Sequence, residues 1–170
     1  MIRKRVPEDD KEILGLVRKE LLPFVHYSFP GVTTDLNEIR ARINRGRVYI
    51  AEMTTPSGKT RVGGFLATVK VDSALWVDML AVSKELQGKG WGSALMEKAE
   101  ADARAGGCVI SNLFVDAVNP KAQLFYAKRG YVPIRYAEEV GCYHLNKVLR
   151  KPGDQYPGQP YNPFQHSAII

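Results

Sequence analysis

The chain is poor in the residues that staple a fold or hold a metal. It has two cysteines, Cys108 and Cys142, and three histidines in 170 residues. Both cysteines lie in apolar stretches without metal-like spacing, which argues against a disulfide framework or a zinc site. Two reduced, buried thiols in a cytoplasmic protein are expected instead, and no metal. No apolar run approaches the roughly 20 residues of a membrane-spanning helix. MIRKRV carries positive charge, but PEDDKE follows where a secretory leader needs an apolar stretch. A soluble protein with no membrane partner is expected. Basic residues never gather into one block, although 24 Lys and Arg against 18 Asp and Glu leave a net charge of +6. That distribution argues against a nucleic-acid partner. The mild excess suits a phosphate-bearing ligand.

What is present is one domain's worth of periodic sequence with 45% hydrophobic residues. MIRKRV reads as a strand. PEDDKEILGLVRKELL places Ile13, Val17 and Leu21 at helical spacing, with acids in the first turn and Pro23 as the stop. FVHYSFPGVTT reads as an aromatic loop. DLNEIRARINRG reads as a second helix, with Asp35 and Glu38 as a capping pair and Gly46 closing it. The period then shortens. RVYIAEM, RVGGFLATVKVD and ALWVDMLAV read as three antiparallel strands, joined by TTPSGKT and by Asp72 with Ser73. A helix follows from the glycine stretch to Gly106 and Gly107. CVISNLFVDAV reads as a strand. NPKAQLFYAKRG reads as a helix with Asn119 as its N-cap and Pro120 at the first position. YVPIRYAEE and CYHLNKVLR close the order as two strands. The result is β-α-α-β-β-β-α-β-α-β-β, an α/β fold around a mixed sheet with one parallel crossover. The periodic body spans 1–150. Residues 151–170 form a Pro/Gly/Tyr-rich tail without period.

Residues 87–96, QGKGWGSALM, crowd three glycines ahead of a helix start. Glycine weakens helices, so the crowding calls for a reason. A helix N-terminus offers unpaired N–H groups and positive potential, and Gly88, Gly90 and Gly92 keep an anion's approach clear. Lys89 adds charge. The plainer alternative is a flexible turn. A Walker loop is dismissed: Gly58-Lys59-Thr60 has the ending, but Met53 stands at the first glycine's place. A dinucleotide fingerprint fits Gly88 and Gly90 and places Asp116 at a plausible distance, yet Ser93 replaces its third small residue.

Gln87-Gly88-Lys89-Gly90-Trp91-Gly92 matches the Q/R-x-x-G-x-G/A signature of the GCN5-related N-acetyltransferases, the GNAT superfamily. ALWVDMLAVSKEL resembles the strand before that signature, and NPKAQLFYAKRGYVPI the segment after it. The resemblance spans residues 1 to about 150. It implies acetyl-CoA as co-substrate, with its pyrophosphate on the N–H groups of residues 87–92 and Ser93 in reach. It implies a pantetheine arm beside Met79, Leu80, Ala81 and Val82, facing Asn119. It also implies that the strands holding Leu80 and Phe114 splay apart. Trp91 either covers the loop or packs into the core.

Acetyl transfer to an amine needs a neutral nucleophile, although a lysine-like amine has a pKa near about 10.4. The oxyanion needs a donor, and the departing thiolate gains from a proton. The resemblance points to Tyr126 as that proton donor; Ala122, Phe125 and Tyr126 also share one helix face, which a core position would explain. Asp78 is the candidate base. It is the one carboxylate in ALWVDMLAV, and period two places it with Trp76 and Leu80. A hydrogen-bonded structural role is the alternative, and Glu52 is the second choice. A backbone N–H around Leu80 is the expected oxyanion donor. The reading is direct transfer to a primary amine on a small molecule or peptide, in a ternary complex. A non-catalytic acyl-CoA-binding module is the rival, and a homodimer stays open. His26 and Tyr27 fall in the aromatic loop facing the acceptor, while His144 carries no signal.

Overall fold

The structure is a computed structural model that describes residues 1–31 and 34–150; the expected tail at 151–170 lies outside the described residues. Seven strands form one sheet: β1 (Ile2–Lys4), β2 (Arg47–Thr54), β3 (Thr60–Val71), β4 (Ala74–Val82), β5 (Ile110–Asp116), β6 (Val132–Ala137) and β7 (Cys142–Val148). Their order is β1-β2-β3-β4-β5-β7-β6. The β4–β5 pair is parallel and every other pair antiparallel. Five α-helices flank it: α1 (Asp10–Leu16), α2 (Leu22–Ser28), α3 (Leu36–Asn44), α4 (Trp91–Ala105) and α5 (Pro120–Lys128). The α/β order expected from periodicity is observed. No helix among the described residues is long and apolar enough to cross a membrane.

Two apolar cores lie on opposite faces of the sheet. Ile13, Val17, Ile39 and Ile43 come from the helical spacing of the N-terminal half and pack against Ile50, Phe65, Met79 and Ala81. Leu95, Met96 and Ala99 of α4 pack against Val77, Leu113, Val115 and Tyr126. Burying each Leu or Met of this kind contributes about 1.5–3 kcal/mol relative to leaving it exposed. The helices of the first core cover β2, β3 and β4, while β7 and β6 continue the sheet beyond them.

Pro23 does not stop the first helix. The chain passes from α1 into a π-helical turn, Val17–Leu21, and on through α2 to Ser28. Proline lacks the N–H for an i→i−4 bond and crowds the preceding turn. The wider turn, closed by the Leu22 N–H to Val17 O, absorbs that defect. Phe24 to Ser28 are therefore helical rather than looped. In α3, Asp35 caps by accepting the Asn37 N–H at 2.8 Å. Gly46 has a packing reason as well: a Cβ there would come within 1.9 Å of the Thr68 carbonyl oxygen.

A β-bulge interrupts β4. Ala67 pairs with Met79 and Thr68 with Val77, which leaves Asp78 as the extra residue. Period two fails there. Leu80 packs with the core on the α4 side, whereas Asp78 meets α3 on the other face.

One polar group breaks the apolar stripe of α4. Glu100, 2% exposed, accepts from Lys147 Nζ at 2.6 Å and from the Tyr131 hydroxyl at 3.1 Å. This ties α4 to β7 and to the chain after α5. Lys147→Met removes the main counter-charge of a buried carboxylate, so unfolding free energy should fall by about 3 kcal/mol in urea titration. An unchanged midpoint would show that Arg129, 3.9 Å from Glu100, suffices alone.

Candidate active site

Parallel pairing between β4 and β5 runs through four rungs and ends at Val77 with Leu113. Beyond it the strands diverge. β4 continues to Val82 and β5 to Asp116, so the edge of β4 past the bulge has no strand beside it. The expected splay of the strands carrying Leu80 and Phe114 is thus observed.

A cleft of about 530 Å³ opens at this divergence. Of the expected cofactor residues, it is lined by Leu80, Ala81, Val82, Gln87, Gly88, Gly90, Trp91, Gly92, Ser93 and Asn119, together with Tyr126. Lys89 is exposed and stands outside the wall, and Met79, also expected beside the pantetheine arm, is buried in the core on the other face. The sequence reading missed Glu20, Leu21 and Phe24, contributed by the π turn and α2, and Leu86, Lys121 and Phe125. Their membership depends on the helix continuing past Pro23 and on the long-range seating of α5. No local pattern announces either.

Gly88 and Gly90 adopt φ of 74° and 82°, the left-handed region that glycine enters without strain. These two turns deliver the chain into α4. Two amides of the expected anion cradle face inward: Gln87 donates to Ser83 O at 3.0 Å and Lys89 to Leu86 O at 3.3 Å. The first internal bond of α4 is Ala94 N–H to Gly90 O at 2.9 Å. The N–H groups of Trp91, Gly92 and Ser93 precede it and project from the helix end into the cleft wall. Two of the six expected amides are thereby engaged, while those of the first helical turn stay open to a ligand. Gln87 serves as a staple. Its Nε2 donates to Val82 O at 2.8 Å and to Glu20 at 3.1 Å, while its Oε1 accepts from Lys121 Nζ at 2.7 Å. That also occupies the last carbonyl of β4.

Asn119 caps α5, accepting the Ala122 N–H at 3.1 Å. Pro120 follows at the first helical position. The helix then presents Ala122, Phe125 and Tyr126 to the cleft and to the core beneath. Tyr126 packs edge-on against Phe125 and Tyr131, at ring-centroid distances of 5.1 and 5.7 Å. Burial pushes its phenol well above the ordinary tyrosine value, and the nearby Arg129 offsets only part. The group is protonated at neutral pH. Trp91 does both things expected of it, lining the cleft and packing on the core.

Asp78 stands elsewhere. Its carboxylate accepts from Arg42 Nη2 at 2.8 Å and Nε at 3.2 Å, with Arg45 3.8 Å away. It lines a separate depression on α3. The bulge is the physical cause, because it turns the side chain to the face opposite Leu80. Glu52 is bound to Arg3, which also holds Asp9 on the β1 side. Neither carboxylate reaches the cleft wall. Tyr27 and His26 are exposed on α2. Among the described residues no group of acids, histidines and cysteines could hold a metal.

A seven-stranded mixed sheet, opened at one parallel pair beside a glycine-led helix, is an acyl-CoA transferase architecture in the family that the sequence matches. The acetyltransferase (GNAT) domain family matches residues 44–133, more than half of the sequence, and the chain belongs to that family. It is an acetyltransferase whose co-substrate is acetyl-CoA. Solved structures share the fold. Ard1 from Thermoplasma volcanium aligns at 21% identity and a TM-score of 0.63, over 89% of this chain and 98% of that one. A chain of the NatC complex bound to Gag peptide and CoA aligns at 17% and 0.70, over 88% and 98%. The ribosomal-protein-S18-alanine N-acetyltransferase from Escherichia coli aligns at 14% and 0.69, over 92% and 97%. No curated protein matches the sequence.

Asp78→Asn should leave acetyl transfer within about threefold and lower unfolding free energy by about 1–3 kcal/mol, the scale of a hydrogen bond to a charged group. Steady-state turnover and urea titration of the same preparation check both. A hundredfold loss of turnover at unchanged stability would return Asp78 to the reaction.

Proposed function

We propose that the protein moves the acetyl group of acetyl-CoA to a primary amine by direct attack within a ternary complex. The observation that carries this reading is the meeting of three features in one cleft: the free edge of β4, the first turn of α4 and the buried phenol of Tyr126. The N–H groups of Trp91, Gly92 and Ser93 would hold the pyrophosphate, with Lys121 as the nearby cation. Gly90 keeps the approach open, since nothing lies within 4 Å of where its Cβ would stand. The pantetheine amides would pair with β4 between Met79 and Ala81, since Gln87 already occupies the Val82 carbonyl.

The amine nitrogen attacks the thioester carbon, and the backbone around Leu80 donates to the oxygen that gains charge. The C–S bond then breaks, and Tyr126 gives its proton to the departing thiolate. The phenolate recovers a proton from the new ammonium as the amide forms. Direct attack fits the placement of the cysteines. Cys108 is buried among Leu75, Ala103 and Leu149, away from the cleft. Burial, reinforced by Asp116, pushes the Cys142 thiol up to about 11, so it is not a nucleophile at neutral pH. The Gag peptide bound in the NatC complex and the ribosomal-protein-S18 alanine of the Escherichia coli enzyme favour a peptide or protein amine. A small-molecule amine fits the same chemistry.

Tyr126→Phe should lower kcat by about a hundredfold or more, the usual worth of a positioned acid. The dissociation constant for CoA should stay within twofold of the unmodified protein's. Wild-type protein held at 100 times that constant should gain about 2.7 kcal/mol of stability in a thermal shift. No shift with CoA would remove the cofactor assignment, and unchanged turnover in the variant would remove Tyr126.

A further inference from the structure

Beside the gap lies an aromatic cluster on the sheet face opposite α4 and α5. Phe114 is the first residue of β5 beyond the last rung shared with β4. His144 of β7 pairs directly across from it. Paired residues share a face, and their ring centroids are 5.1 Å apart. Trp76, one rung before the end of the β4–β5 pairing, stacks on both, at 5.9 Å from Phe114 and 5.5 Å from His144. Phe114 is 45% exposed. None of these three rings lines the cleft itself, but Leu21, which does, belongs to the core on their side of the sheet.

The imidazole is held in one orientation. Its Nε2 lies 2.9 Å from Asn112 Oδ1. Asn112 is itself only 7% exposed. With the carbonyl oxygen facing it, Nε2 carries the proton and donates, which leaves Nδ1 with the free lone pair. A buried amide committed to fixing one histidine tautomer is what a general base requires. Aromatic faces beside it attract an ammonium through their quadrupoles.

We propose that His144, reached across Phe114 and Trp76 beside the β4–β5 gap, takes the proton from the incoming ammonium, with Asn112 positioning its ring and Trp76 and Phe114 receiving the cation. The step balances. The proton passes from nitrogen to Nδ1, the neutral amine attacks, and the imidazolium later releases the proton to water. The inference rests on the acetyl-transfer reading above and supplies the base that Asp78 does not. The other groups on this face are Cys142 of its own strand, Asp116 of β5, Arg135 of β6 and, beyond Trp76, Asp78 with Arg42 and Arg45. Burial, aided by Arg135, holds the imidazole below its ordinary value. It is therefore neutral at pH 7 and able to accept.

The test uses full-length protein, acetyl-CoA and a panel of phenethylamine, n-butylamine, spermidine and a tetrapeptide amide with a free N-terminus. The acceptor taken by wild type is then followed from pH 5 to 9.5. Wild type should show kcat/KM falling on the acid side with an apparent pKa below about 6.5. His144→Gln should lose about a hundredfold at pH 7. It should recover part of that loss at pH 9.5, where the amine sheds its own proton, and keep its CoA affinity. Asn112→Asp places a carboxylate against the ring and should move the acid limb to higher pH, a shift that altered packing alone would not produce. If His144→Gln fails to fold, the Asn112→Asp profile decides. An acid limb that stays in place in Asn112→Asp, or equal loss at every pH in His144→Gln, overturns the assignment of His144 alone. Transfer to none of the four amines by wild type, with CoA still bound, overturns the acetyl-transfer reading itself.

Discussion

The site exists because two parallel strands stop pairing. Four rungs hold β4 to β5, and then the sheet gives up its hydrogen bonds where a fifth and sixth would be. Leaving backbone donors and acceptors without a neighbour is unfavourable unless water or a ligand takes them. The gap is kept open by what surrounds it. Leu113 and Val115 pull β5 towards the α4 core, while the bulge at Asp78 redirects β4. Arg42 and Arg45 then hold the bulged residue against α3. The Asp78 carboxylate is thereby part of the frame around the gap.

The helix end beside the gap is fixed with comparable care. Gln87 bridges the end of β4, the π turn and α5 through Val82 O, Glu20 and Lys121. Farther along α4, Glu100 fastens the helix to β7 through Lys147. α4 is thus anchored to the sheet at its start through β4 and farther along through β7. A preorganised set of N–H groups needs that anchoring, because donors that must be oriented on binding give up part of their benefit.

Much of this was legible in order and little in depth. The glycine spacing, the Asn-Pro start of α5 and the alternation in β2 to β4 are local signals, and each sits where its physics requires. Pro23 misled because a helix can widen by one residue to accommodate it, a tertiary solution invisible in propensity. Asp78 misled because period two holds only in an unbroken ladder, and a bulge is set by the partner strand. His144 carried no signal for a related reason. Its neighbours Phe114 and Trp76 lie 30 and 68 positions away and meet it through the β4-β5-β7 order.

That order divides the work between two faces of one sheet. In the proposed reaction, the helix end and the Tyr126 phenol would meet the phosphates and the departing sulfur on one side, both anionic. On the other, aromatic rings and a neutral imidazole would meet a cation that must lose its proton. Oppositely charged groups would thereby be kept apart until they meet at the β4–β5 gap. An imidazole lodged on the cofactor side would face the sulfur, where a base is of no use as the thiolate departs. A phenol held above its ordinary pKa on the amine side would remain a donor. In that reaction the bulge and the early end of the β4–β5 ladder would do more than admit a ligand: they would let the acid act on the departing sulfur and the base on the attacking nitrogen from opposite directions.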